Sequence, residues 1–386
     1  FSPVSGARPA ALGHCAPWMR FRRCSAVLLA LTVDHTGGVA IVTSAGLRHD
    51  RTEVLRVVEG RVAHHVENTL LTVDRAWQPS DFVPESFGDD DGFLEEIREM
   101  RQVARGLPDE LLVVLIGDMI TEEALPTYQT LLNTLDGTND PTGTSPTAWG
   151  RWSRQWTSEE NRHGDLLNRY LYLTGRCDMR TVEKSVMQLI AKGFNPKFVP
   201  DGSGVGDAYR GFVYTSFQER ATKISHGNVG KLAAKHGDSR LARICATIAG
   251  DEARHERAYK GFVSAIFEED PDGAMIAYAD MLKQQIVMPA ELMSDGENPS
   301  LFADFARVAA SLGVYTSADY TDIIEHLNCE WQVESRTGLS PQAAQAQDYV
   351  SSLPRRFRKL AERQAKSTGG VHLPGVGWSW LNGRTV

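Results

Sequence analysis

A glutamate and a histidine three residues apart share one face of a helix, and this chain carries that pair twice. Glu160 and His163 lie in W-T-S-E-E-N-R-H-G-D, and Glu252 and His255 lie in G-D-E-A-R-H-E. A single pair arises by chance in many helices and marks no more than a solvated face. Here each pair follows a lone glutamate in another helical stretch: Glu122 in G-D-M-I-T-E-E-A-L-P, and Glu219 in Y-T-S-F-Q-E-R-A-T. The order E, E-x-x-H, E, E-x-x-H is how a four-helix bundle builds a two-metal carboxylate site, one glutamate from each of two helices and one motif from each of the others.

Charge arithmetic supports a metal. Four carboxylates buried together would repel and be costly to desolvate, whereas beside two divalent ions their charges sum to zero. Oxygen donors with two imidazoles suit iron or manganese. The five cysteines, Cys15, Cys24, Cys177, Cys245 and Cys329, are scattered without a C-x-x-C pair, so neither a zinc knuckle nor iron-sulfur ligation is indicated. A formal net charge of -8 argues against nucleic acid as a partner. The apolar run Ala26 to Val33 is far shorter than the roughly 20 residues of a membrane span.

Apolar spacing reads as helix from Arg51 onward, starting with Leu55, Val58, Val62, Val66 and Leu70 on one face. Further helices are expected near 108–135, 145–173, 179–192, 211–236, 239–267, 273–288, 301–312, 317–331 and 341–364. The run Leu111 to Ile116 has the composition of a buried strand, but it continues without a turn into a long amphipathic stretch, which favours helix. Pro126, four residues after Glu122, removes a backbone hydrogen bond and is expected to kink that helix at the ligand. The fold expected is all-α, a ferritin-like four-helix core within a larger antiparallel bundle, over residues 50–386. Residues 1–49 are rich in arginine, with Asp34 their only acid, and their composition is that of an organellar transit peptide or a variable extension.

Several neighbours of the motifs invite a role. Asp251 is a candidate partner for a ligand imidazole, and Glu159 occupies the same place in the other half, although a surface carboxylate is the simpler reading for Glu159.

From about Leu55 to the C-terminus the chain resembles the soluble plant acyl-acyl carrier protein desaturases. The strings carrying the resemblance are G-D-M-I-T-E-E-A-L-P-T-Y-Q-T, E-E-N-R-H-G-D-L-L-N, Y-T-S-F-Q-E-R-A-T and the short D-P-D-G. The resemblance implies a di-iron centre held by Glu122, Glu160, His163, Glu219, Glu252 and His255, in a homodimer. It implies that Thr222 faces the oxygen-binding side and that Trp77, Asp251 and His163 carry electrons inward. Thr222 is also readable as a hydroxyl bonded to its own helix, and Trp77 as a core aromatic. The implied reaction removes two hydrogens from a saturated acyl chain, stearoyl at the 9 position by default, using O2 and two electrons from ferredoxin. Implied partners are acyl-acyl carrier protein and ferredoxin, and the implied location is the plastid stroma.

Leu131, Thr134 and Leu135 are expected either to wall the acyl channel or to be plain core. Arg220, Lys223, Lys231, Lys235, Arg240, Arg243, Arg254, Arg257 and Lys260, with a second group from Arg355 to Arg363, are candidate docking cations for an acidic carrier. The stretch Phe194 to Arg210 is longer than the family leads one to expect, and L-K-Q-Q after Met281 is less basic. Two alternatives share the ligand order. A bacterioferritin-type iron store would not need the helices after His255. A ribonucleotide reductase small subunit usually places a tyrosine four residues after the first motif histidine, where this chain has Leu167.

Overall fold

The computed structural model describes residues 31–33, 39–41, 44–85, 87–196, 198, 206–367 and 375–386, with side chains from residue 51 to 362 and from 375 onward within those spans. Most of the expected leader, and residues 197 and 199–205 of the glycine-rich stretch 194–210, lie outside the described residues. The chain divides into two units, Phe1–His49 and Asp50–Val386. In the first, β1 (Leu31–Val33) pairs antiparallel with β2 (Val39–Ile41).

Twelve helices make up almost all of the regular structure among the described residues: α1 (Ser44–Thr69), α2 (Asp90–Ala104), α3 (Asp109–Glu123), α4 (Leu125–Leu132), α5 (Ala148–Thr174), α6 (Met179–Lys192), α7 (Ala208–Lys235), α8 (Ser239–Glu269), α9 (Pro271–Lys283), α10 (Leu301–Ser311), α11 (Ser317–Glu330) and α12 (Pro341–Ser367). A short hairpin, β3 (Gly377–Trp378) with β4 (Arg384–Thr385), follows. The all-α ferritin-like core is present: α3 packs on α5, α5 on α8, α8 on α7 and α7 on α3, closing a ring of four helices. Only residues 236–238 separate α7 from α8, so the two must run antiparallel.

Local sequence sets these helices. Asp207 caps α7 by accepting from the Tyr209 and Arg210 amides, and Asp238 caps α8 by accepting from Leu241 N. Gly175, at φ 63°, ends α5 in the left-handed conformation that glycine adopts without strain. Every residue of α3 from Leu111 to Glu122 is buried, because α5, α6, α7 and α10 surround it. A helix enclosed on all sides has no polar face, which is why its apolar run looks strand-like.

Two expectations are corrected and one helix is added. The single helix over 108–135 is two, interrupted at Ala124 (φ -79°, ψ 10°), since Pro126 has no amide to donate and its ring crowds the preceding turn. The helix expected to reach Met288 ends at Lys283, and Met288 is extended (ψ 146°), as the residue before Pro289 prefers to be. Helix α2 was not anticipated.

The apolar core falls into two clusters. Along α5, Trp156 belongs to one and Leu166 to the other, and along α8 Ala258 and Ile248 divide in the same way. Glu160, His163, Glu252 and His255 fall between them. The bundle therefore encloses a polar layer between two apolar ones.

Candidate metal centre

All six expected ligands converge. Glu122 of α3, Glu160 and His163 of α5, Glu219 of α7, and Glu252 and His255 of α8 are each at least nine-tenths buried, both histidines fully. They form two donor groups, Glu122, Glu160, His163 and Glu252 on one side and Glu160, Glu219, Glu252 and His255 on the other, the ligand atoms of each lying within 4.8 Å of one another. Glu160 and Glu252 belong to both groups and Glu122 and Glu219 to one each, a division that motif spacing alone does not reveal.

The donor atoms fit a pair of cations. His163 Nδ1 lies 3.1 Å from Glu252 Oε1 and 3.3 Å from Glu160 Oε2, and His255 Nδ1 lies 2.6 Å from Glu160 Oε1 and 3.5 Å from Glu219 Oε2. Such separations suit ligands about 2 Å from a shared ion. His163 Nδ1, His255 Nδ1, Glu160 Oε1, Glu219 Oε2 and Glu252 Oε1 are buried without a hydrogen-bond partner. Burial, and then the Glu160 carboxylate, push the Glu219 carboxyl well above its ordinary value, a cost that a dication between them removes.

The opposite ring nitrogens are held from outside. His163 Nε2 donates to Asp251 Oδ2 at 3.3 Å, and His255 Nε2 donates to Glu159 Oε2 at 3.0 Å, which fixes the tautomer that leaves each Nδ1 free for a metal. Glu159 is thus no surface carboxylate: it is buried and also accepts from Leu71 N at 2.6 Å. Burial alone would raise Asp251, but its bonds to His163 and Arg254 outweigh that and hold it below the usual carboxylate range.

Trp77 donates Nε1 to the same Asp251 oxygen at 3.0 Å and stacks on His163 at 9° between ring planes. The three residues Trp77, Asp251 and His163 are therefore in direct contact. Thr222 Oγ1 donates to Glu252 Oε2 at 2.5 Å, and it also lies 3.1 Å from the Gln218 and Glu219 carbonyls of its own helix.

Sequence reading missed His226. Fully buried, it bonds Glu122 Oε1 through Nε2 at 2.9 Å. Its position, two helical turns after Glu219 on the same face of α7, was the available signal.

The carboxylates open onto a cleft whose lining includes Leu125, Tyr128, Leu131, Trp156, Phe194, Tyr214 and Thr222. Leu131 lines the cleft and also belongs to the buried core, so both readings of it meet. Thr134 and Leu135 are not among the lining residues: Leu135 fills the space over Gly206 and Gly211, where a Cβ would come within 2.8 and 2.7 Å of its side chain.

Residues 50–380 match the fatty acid desaturase family. The chain belongs to that family. It is 52% identical over 337 residues to a chloroplastic stearoyl-[acyl-carrier-protein] 9-desaturase of Brassica napus, covering 87% of this chain and 82% of that one. An acyl-[acyl-carrier-protein] desaturase of Cucumis sativus is 53% identical over the same shares, and a stearoyl-[acyl-carrier-protein] 9-desaturase of Spinacia oleracea is 49% identical over 90% and 85%. Among solved structures, DesA2 of Mycobacterium tuberculosis is similar at a TM-score of 0.44 and 21% identity, over 77% of this chain and 99% of that one. The iron-store and reductase alternatives are not favoured by the family match and the plant relatives.

Proposed function

We propose that this desaturase is an acyl-acyl carrier protein desaturase. It introduces a cis double bond into a saturated acyl chain, stearoyl at the 9 position by default, with two iron ions held by Glu122, Glu160, His163, Glu219, Glu252 and His255. One observation carries the reading: a donor set for two metals opens directly onto an apolar cleft. Bound iron would supply the oxygen-dependent redox chemistry. Two electrons, two protons and O2 balance the loss of two hydrogens from the chain, giving two waters.

The protein's own part is placement. An unactivated C–H bond offers no polar handle, so only position selects it, and Tyr128, Leu131, Phe194 and Tyr214 provide apolar walls that hold a chain and exclude water. Gln218 lines both this cleft and a second, larger one walled by Phe217, Phe302, Phe305 and Tyr320, and so stands between the two. Thr222 presents its hydroxyl between the cleft and Glu252 and is assigned to the oxygen side. The contacts from Trp77 through Asp251 to His163 are assigned to electron delivery from ferredoxin.

The relatives are named as chloroplastic, and we assign this chain to the plastid stroma, residues 1–49 being the leader and 50–386 one catalytic domain that pairs as a homodimer. No described helix is long and apolar enough to cross a membrane. Carrier docking is assigned to exposed Lys231, Lys235 and Arg257, because Arg254 points inward and Arg220, Lys223 and Lys260 converge on Glu256.

Iron-loaded protein given reduced ferredoxin, O2 and a series of acyl-carrier substrates should yield a cis-monoene, with stearoyl preferred. Full iron with no unsaturated product would overturn the assignment.

A further inference from the structure

Two arginines stand behind the metal-facing histidines, and one of them touches both halves of the centre. Arg254 Nη2 carries two hydrogens and is 2.6 Å from Glu159 Oε2 and 2.6 Å from Asp251 Oδ1. Glu159 holds His255, and Asp251 holds His163. Its other terminal nitrogen donates to the Thr69 carbonyl at the end of α1, at 2.5 Å. Arg162 closes the lattice, donating to Asp251 Oδ2 at 3.1 Å and to the Trp77 carbonyl at 2.6 Å, with its guanidinium 4.4 Å over the Trp77 ring. Two guanidinium cations thus match two carboxylate anions, and this outer layer is neutral, like the inner layer of four glutamates and two dications.

We infer that Arg254 is a positioning residue that ties the two imidazole ligands together, so that the orientation of each depends on the same guanidinium. The inference rests on the two-metal reading of the centre. The geometry gives it a specific form: Asp251 and Glu159 each serve one histidine, whereas Arg254 serves both. Without Arg254, Glu159 keeps the Leu71 amide and Asp251 keeps Arg162 and Trp77, so each carboxylate is held less firmly and orients its imidazole less well. Loss of Arg254 therefore loosens both metal positions together, and loss of either carboxylate's charge loosens one. Arg162 cannot take over, because it lies 3.8 Å from Glu159 and its nearer bonds go to Asp251 and Trp77.

The test uses the full chain stripped of metal and titrated with Co2+, comparing wild type with Arg254→Met, Asp251→Asn and Glu159→Gln. Wild type should take two ions and show two exchangeable imidazole N–H resonances, shifted by the bound Co2+. Arg254→Met should lower affinity about 10- to 100-fold at both positions and broaden both resonances, whereas each carboxylate variant should broaden one. Circular dichroism of the metal-free proteins separates a lost fold from a lost tie, and the two carboxylate variants keep the comparison open if Arg254→Met does not fold, because each must then perturb one resonance and spare the other. Unchanged affinity and two sharp resonances in Arg254→Met would refute the tie while leaving the metal centre intact. A wild type that binds no Co2+ would overturn the metal centre and the tie with it.

Discussion

Glu160 and Glu252 belong to both donor groups, and Glu122 and Glu219 to one each, so the six ligands are not equivalent. Glu160→Gln should reduce metal content at both positions, whereas Glu122→Gln should spare the position formed with Glu219 and His255. Metal analysis after gel filtration decides it: equal losses in the two variants would contradict the shared role. Oxygen-dependent turnover should fall to background in both, since the proposed reaction needs both ions. That these six side chains come together was legible, because helical spacing is fixed and carboxylate and imidazole are the only candidate donors at those spacings. Glu159 was named as a candidate partner but read more simply as a surface carboxylate, and His226 was missed, because a partner's partner is set by how helices meet. His226 approaches Glu122 from a different helix, and Glu159 adjoins a ligand in sequence yet bonds the histidine of the other motif.

Helix spacing around the centre depends on a missing side chain. A Cβ on Gly164 would lie 3.0 Å from Glu123 N and 3.2 Å from the Glu122 carbonyl carbon, both backbone atoms that cannot step aside. Gly164→Ala should push α5 from α3 and cost roughly 1–3 kcal/mol, more than the ~1 kcal/mol by which alanine favours helix. Urea unfolding measures the sign, and a stabilised variant would show that the helices yield. A second element-scale contact joins α7, α8 and α11 through buried Glu256, which meets His326 at 2.9 Å, Arg220 at 2.9 Å, Lys260 at 3.3 Å and Lys223 at 3.5 Å. Burial opposes ionisation there, but His326 and then the surrounding cations win, bringing the Glu256 carboxyl from 4.5 down to about 2. A depressed carboxylate stabilises fully above its unfolded value and loses that contribution as pH falls toward its folded one. Glu256→Gln should therefore lower stability by up to about 3 kcal/mol from pH 7 to 5, with the gap to wild type closing as pH falls from about 4.5 toward 2. A gap independent of pH would contradict the charge assignment. At this scale periodicity located most of the helices, while the break at Ala124 came out sharper than a kink. Helix α2 escaped because it carries only two fully buried residues, Met100 and Ala104, and its polar, acidic start reads as loop.

Across the whole catalytic unit, the metals are expected to act as part of the core. The ring α3, α5, α8 and α7 surrounds four glutamates that belong to no apolar cluster, so the helices meet there through charge rather than through packing. Without cations these carboxylates face one another in a buried layer, and Glu219 in particular is driven toward its protonated form by burial and by Glu160. Binding to the folded chain alone stabilises it by mass action, about 4 kcal/mol per site when free metal is 1,000 times its dissociation constant. Chelation should therefore lower the unfolding temperature by an amount on the order of 10 °C, reversibly on adding Fe2+ or Co2+. Calorimetry with and without chelator reads the shift. The same midpoint in both would mean that the buried carboxylates are neutralised by protons alone, and the two-metal reading would then lose its energetic basis.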